Sequence, residues 1–249
     1  MTGFLLAVQF LTILPLKIKN FKEKDLGSAL VFFPLVGLII GIILSGINSL
    51  LLSLHFDALV SSCMLVVSLT ILTGGLHLDG LSDTADAFFS RKAREEQLAI
   101  MRDSRIGTMG VLAVICIILL KIAFIYSVNS GTRPLLLALM CVLSRWSMLF
   151  SMYFFPYARK EGKAKGFIEQ MNLKNFILAT LVTLIMVFLY WKTKGLFVFI
   201  FVSLLAYLIS LYSKHKVAGI TGDTLGALNE LIEVAVLIFI CVSERMQYV

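Results

Sequence analysis

The chain alternates long apolar runs with short polar segments. Seven of the runs approach the roughly 20 mostly apolar residues that carry a helix across a bilayer: 26–54, 56–76, 108–128, 134–155, 175–191, 196–213 and 224–242. Before them, 4–16 is apolar but too short to span, a length that suits an interfacial or re-entrant segment. No linker rich in Gly, Pro or Ser divides the runs, and no internal repeat is visible. The pattern predicts one integral membrane domain over 1–249, an all-α polytopic bundle of about seven transmembrane helices with a short interfacial segment in front.

Composition strengthens this reading. Hydrophobic residues make up 59% of the chain and charged ones only 15%, with a mean hydropathy of +0.95. A soluble domain of this size needs more polar residues to cover its surface. The four cysteines, Cys63, Cys116, Cys141 and Cys241, each lie in an apolar run without CxxC spacing, and are expected to be buried, inert thiols. The N-terminus lacks a basic stretch ahead of its apolar residues and a small-residue cleavage site, so it does not read as a removable signal peptide.

The net charge of +7 changes the picture through its distribution. Alternate polar segments collect Lys17, Lys19, Lys22 and Lys24, then Arg91 to Arg105, then Arg159 to Lys174, then Lys214 and Lys216, sixteen cations in all against four on the other side. Cations gather on the cytoplasmic side of membrane proteins. The N-terminus and the second polar loop are therefore expected in the cytoplasm and the C-terminus outside. Nucleic acid is not expected as a partner.

The second of those loops opens Gly74-Gly75-Leu76-His77-Leu78-Asp79-Gly80-Leu81-Ser82-Asp83-Thr84-Ala85-Asp86. Its carboxylates fall at i, i+4 and i+7, which on a helix places Asp83 about 40° and Asp86 about 20° from Asp79, on either side. Three like charges in one stripe repel unless a cation neutralises them. Mg²⁺ or Mn²⁺ suits carboxylate oxygens, and Mg²⁺ commonly shares its shell with substrate phosphates. An ordinary solvated acidic face would not need Gly80, because a glycine inside a helix costs about 1 kcal/mol. Nearby, Arg102-Asp103-Ser104-Arg105 offers forked guanidinium groups suited to phosphate, or else a basic stop before the next span. His77 is a candidate metal ligand or general base, with a simple hydrogen-bonded imidazole as the alternative. Arg145 lies mid-span, where an unpaired charge costs about 2.5–3.5 kcal/mol on insertion scales. With Asp223 and Glu230, it is expected to line a polar cavity beside the aspartate stripe. Lys121 reads as a structural cation that snorkels. Gly222, Gly226 and Ala227 at the start of the last span permit close helix approach.

Taken together, these stretches resemble the cobalamin synthase family of adenosylcobinamide-GDP ribazoletransferases. The similarity runs in order through Gln9-Phe10-Leu11-Thr12-Ile13-Leu14-Pro15, 74–86, 100–110, Tyr157-Ala158-Arg159 with Gly162, and 221–227. Ala218 departs from it, since a glycine pair is expected there. The resemblance implies a multi-pass enzyme of the cell inner membrane, with its site facing the cytoplasm. It implies Mg²⁺ as cofactor, joining of a GDP-activated corrinoid to α-ribazole or its 5′-phosphate, and release of GMP. The candidate metal ligands are then Asp79, Asp83, Asp86 and Asp103. Asp86, His77 and Arg145 are candidate catalytic groups. Arg102, Ser104, Arg105, Arg159, Asp223 and Glu230 are candidates for substrate binding. The implied partners are the two small-molecule substrates and the lipid bilayer, with other corrinoid-assembly enzymes or a second copy of the chain as candidate protein partners. Two rivals fit less well. The CDP-alcohol phosphotransferase pattern Asp-x-x-Asp-Gly-x-x-Ala-Arg is missing, and a transporter should show repeated halves with broken helices.

Overall fold

A backbone surrounded by lipid must satisfy its own polar groups, which favours helices wherever the chain is apolar. The computed structural model describes residues 2–16, 18, 21–162 and 164–245. Lys17, Lys19 and Lys163, counted above among the loop cations, lie outside the described residues. Among those described, the chain forms α1 (Thr2–Leu11), α2 (Lys24–Leu30), α3 (Phe33–Ser53), α4 (Ala58–Leu72), α5 (Leu76–Phe89), α6 (Arg94–Ile100), α7 (Thr108–Ser127), α8 (Arg133–Phe154), α9 (Lys165–Glu169), α10 (Leu173–Val217) and α11 (Gly222–Arg245).

Two apolar runs are broken where their sequence forbids a straight helix. The first divides into α2 and α3, and Pro34 sits in the first turn of α3, where a missing backbone N–H is harmless. The second divides at Gly74 and Gly75, whose φ values of 61° and 69° lie in the left-handed region that glycine enters without penalty. The chain leaves this corner with α5 turned 89° from α4. Ile13 ties the N-terminal segment to the same corner through its N–H to the Leu72 carbonyl at 2.9 Å.

Five continuous helices, α3, α7, α8, α10 and α11, are long and apolar enough to cross a membrane, and the bent pair α4 and α5 adds a sixth crossing if taken as one. α10 is itself a hairpin. Trp191 and Lys192 have non-helical dihedrals, with Lys192 at φ 49°. A Cβ on Gly195 would stand 2.5 Å from the Val187 carbonyl oxygen, whereas eight residues of straight helix would separate them by about 12 Å. Trp146 touches both legs, donating to Thr180 Oγ1 at 3.1 Å and placing its ring 4.3 Å from that of Phe199. Legs 173–190 and 193–217 are therefore antiparallel, and counting them separately gives six crossings, or seven if the bent pair is one. The protein is an all-α, multi-pass membrane protein.

α8 forms the axis: 89% of its apolar window is buried, against 22% for α7 on the rim. Its backbone meets α3 closely, with the Ala138 Cα 2.6 Å from where a Cβ on Gly41 would be. The outer faces carry exposed Leu119, Leu189, Phe197 and Ile200, an apolar belt that lipid covers. The cysteines depart from expectation. Cys141 and Cys241 are buried, but Cys63 is half-buried and Cys116 faces outward from α7, since an apolar run on the rim shows part of itself to lipid.

Candidate active site

The aspartate segment is helical as its spacing predicts, and α5 crosses α11 at two glycines. A Cβ on Gly80 would lie 2.7 Å from the Asp223 carbonyl oxygen, and one on Gly226 would lie 3.3 Å from the Gly80 Cα. Backbones this close leave no room for a side chain, which explains the mid-helix glycine. The crossing brings Asp79 and Asp83 of α5 beside Asp223 of α11, close enough that Asp83 stands in the field of both other carboxylates.

A cleft of about 530 Å³ opens here, with His77, Asp79, Asp83, Tyr157, Arg159 and Asp223 among its lining. Its far wall is the segment after α8. That segment is fixed by Ala158 N–H to the Ile220 carbonyl at 2.8 Å and Ile220 N–H to the Pro156 carbonyl at 2.9 Å. Arg159 is thereby presented to the cleft, its Nη2 2.6 Å from Asp223 Oδ2 with both side chains largely buried. The pair is close but poorly aligned for a hydrogen bond, and Arg159 Nε has no partner in the protein. The Tyr157 hydroxyl is likewise unpartnered. Burial raises the pKa of this phenol, with Arg159 opposing. His77 forms the floor. It is 1% exposed, and neither ring nitrogen has a protein partner.

A second cleft of about 750 Å³ adjoins the first along α5. It shares Leu76, Asp79, Asp83, Met101 and Arg102 with the first, and Leu78, Ser104, Ile106 and Val114 line it alone, with Asp103 and Arg105. The last two are locked together: Arg105 Nε donates to Asp103 at 3.0 and 3.1 Å and Nη2 at 2.5 Å. The Arg105 guanidinium holds the Asp103 carboxyl down at about 2. Asp103 therefore spends its oxygens on Arg105 rather than on the Asp79 and Asp83 pair.

Three expected site residues are placed elsewhere. Asp86 lines neither cleft. It accepts the N–H groups of Gly107 at 2.7 Å and Gly110 at 2.8 Å, capping the first turn of α7, where a carboxylate meets the positive end of the helix. Arg145 and Glu230 do not line the clefts either. Arg145 is fully buried and ion-paired with Glu233. Lys121 is 3% exposed rather than snorkelling. It bonds Glu230 Oε2 at 2.7 Å and also pairs with Glu233. Asn229 Nδ2 donates to Glu233 at 3.0 Å. Glu233 is the hub of a four-charge cluster joining α7, α8 and α11, behind His77. Two cations and two carboxylates balance one another, which is how buried charge is tolerated. Of the residues asked to line a cavity, Asp223 alone does so.

Tyr157 was expected only as part of the stretch Tyr157-Ala158-Arg159 that carries the resemblance, not as a site residue. Nor was Glu233 assigned, whose depth in an apolar run was its only signal.

A family profile described as cobalamin-5-phosphate synthase matches residues 3–241. The chain belongs to the cobalamin-5-phosphate synthase family. Relatives of this synthase family named adenosylcobinamide-GDP ribazoletransferase include proteins of Desulforamulus reducens, 34% identical over 97% of both chains, and Acetivibrio thermocellus, 41% identical over 91% of this chain and 92% of the relative. Another is that of Caldanaerobacter subterraneus subsp. tengcongensis, 39% identical over 95% of this chain and 96% of the relative. No solved structure matches the chain.

Proposed function

We propose that the chain is an adenosylcobinamide-GDP ribazoletransferase. It joins adenosylcobinamide-GDP to α-ribazole or its 5′-phosphate and releases GMP, a late step in assembling the nucleotide loop of cobalamin. The observation that carries the reading is the meeting of Asp79, Asp83, Arg102 and Arg159 in one cleft of a chain whose family match runs over 3–241.

Among the described residues, no three His, Cys, Asp or Glu side chains form a ready-made metal cage. Asp79 and Asp83 instead fit the open mode of Mg²⁺, in which one or two carboxylates hold the ion and substrate phosphates and water complete its shell. When bound, Mg²⁺ would supply charge neutralisation to the diphosphate and to the departing GMP. The protein's own groups do the rest. Arg159 and Arg102 hold phosphate oxygens through forked N–H donors. The buried Tyr157 hydroxyl and His77 ring are free to bond the nucleotide arm. The acceptor hydroxyl has Asp79, Asp83 or Asp223 in the cleft to receive its proton, whereas Asp86 lies outside both clefts and accepts two N–H groups at the start of α7. The transfer depends on positioning and charge stabilisation.

The cleft end is read as cytoplasmic on the strength of sixteen loop cations on that side against four, and the inner membrane is the location that the family resemblance implies.

The test is GMP release by the purified protein in proteoliposomes, given adenosylcobinamide-GDP, α-ribazole and Mg²⁺. The expected result is GMP and a corrinoid carrying the ribazole, both dependent on the acceptor and on Mg²⁺. GMP release without acceptor, or none at all, would reject the reading.

A further inference from the structure

The geometry points to the second cleft as the acceptor site. The nucleotide arm of the corrinoid lies in the first cleft and the ribazole in the second, both bound at once where Asp79, Asp83 and Arg102 line the two clefts in common. This rests on the transferase reading above and extends it to which reactant occupies which side.

The two clefts differ in unmet hydrogen-bonding capacity. Both His77 ring nitrogens, the Tyr157 hydroxyl and Arg159 Nε are buried without a partner in the protein, and all three residues line the first cleft. Among the described residues, no residue confined to the second cleft contributes one. Buried polar groups left unpaired are costly, so the first cleft calls for a ligand dense in donors and acceptors, as a guanosine diphosphate arm is. Its volume of about 530 Å³ suits a ligand of that size and leaves the corrin ring outside.

The second cleft has a different character. Leu78, Ile106 and Val114 form an apolar wall, and the charged pair Asp103 and Arg105 is already self-satisfied. On the same face of α7 as Val114, one turn earlier, Val111 is exposed. A neutral heteroaromatic nucleoside fits such a wall.

The chemistry asks for this division. The acceptor hydroxyl oxygen forms a bond to the phosphorus next to the aminopropanol linker, and the bond from that phosphorus to the bridging oxygen breaks. GMP leaves with the electron pair, and the hydroxyl proton passes to a cleft carboxylate. In-line displacement puts the attacking and leaving oxygens on opposite faces of phosphorus. The clefts meet at Asp79, Asp83 and Arg102, so a phosphorus held there is approached from one cleft while its leaving group occupies the other, and no phosphoenzyme is required.

Initial rates measured in proteoliposomes with Mg²⁺, with both substrates varied, should give intersecting double-reciprocal lines. Parallel lines, the mark of a covalent enzyme intermediate, would overturn the proposal. Val114→Trp and Ile106→Trp fill the second cleft; Ile106 is 62% exposed, so the second variant tests the idea without disturbing packing. Each should raise KM for α-ribazole roughly tenfold and leave KM for the GDP-corrinoid within about twofold. Tyr157→Phe should do the reverse. Exchanged or equal shifts would refute the assignment. Saturating GMP with Mg²⁺ should leave equilibrium binding of α-ribazole to the wild-type protein intact, and competition between them would refute it too. A wild-type protein that releases no GMP defeats the transferase reading itself, which is a separate failure.

Discussion

At the scale of single residues, the three aspartates on one stripe of α5 have different work. Asp79 and Asp83 face the cleft. Asp79→Asn and Asp83→Asn are each expected to abolish GMP release while the protein stays folded in the membrane. Near wild-type turnover of either variant at limiting Mg²⁺ would remove that residue from the proposed ligands. Asp86 holds the start of α7, so Asp86→Ala should lower stability by about 1–2 kcal/mol and leave substantial turnover in the folded fraction. Thermal unfolding in detergent alongside rates per folded molecule would check this, and an unaltered midpoint with lost activity would contradict it. The helical period correctly put the three carboxylates on one stripe. It could not foresee that one turn beyond Asp83 the stripe leaves the cleft and meets the Gly107–Gly110 backbone, because the opposing element is set by tertiary crossing. The departure at Ala218 is also visible at this scale: its φ is 61°, a left-handed position that glycine occupies with less strain.

At the scale of helices, hydropathy located almost every crossing, since lipid imposes the same length on each. The breaks at Pro34 and at the Gly74–Gly75 corner were not predicted, since hydropathy carried 26–54 and 56–76 as unbroken runs, although proline and paired glycines are the residue types that enforce them. Pairing between helices was not legible. Arg145 was visible as a mid-span charge needing relief, but nothing along the chain says that relief comes from Glu233 across a helix interface rather than from a cavity. The consequence is testable. Arg145→Met should depress yield and thermal stability, because truncating one member of a buried pair typically costs about 3–5 kcal/mol. KM for both substrates in the surviving protein should remain near wild type. Normal yield with a steep loss of turnover would return Arg145 to the reaction.

At the scale of the whole molecule, the cleft end gathers Arg94, Arg102, Arg105, Arg159 and Lys216. Arg94 and Lys216 also lace α5 and α6 to the end of α10 through the carbonyls of Val217 and Phe88, at 3.0 and 3.1 Å. Cysteines introduced at Arg91 or Glu95 should react with an impermeant thiol reagent only after the inner face is opened. Labelling from outside intact cells would invert the proposed orientation. The four-charge cluster has a further meaning when the chain is considered in order of synthesis. Lys121 and Arg145 are made with α7 and α8, while both of their counter-charges, Glu230 and Glu233, arrive on the last helix. Until then, two cations sit in the bilayer unmatched, each at a cost of about 2.5–3.5 kcal/mol on insertion scales. The final helix thus acts as a completion check: a chain stopped at Thr221 should be rapidly degraded in cells, and Lys121→Leu together with Arg145→Leu should lengthen the half-life of that fragment. Equal half-lives for the two fragments in a pulse-chase would show that the cell does not read the unmatched charge.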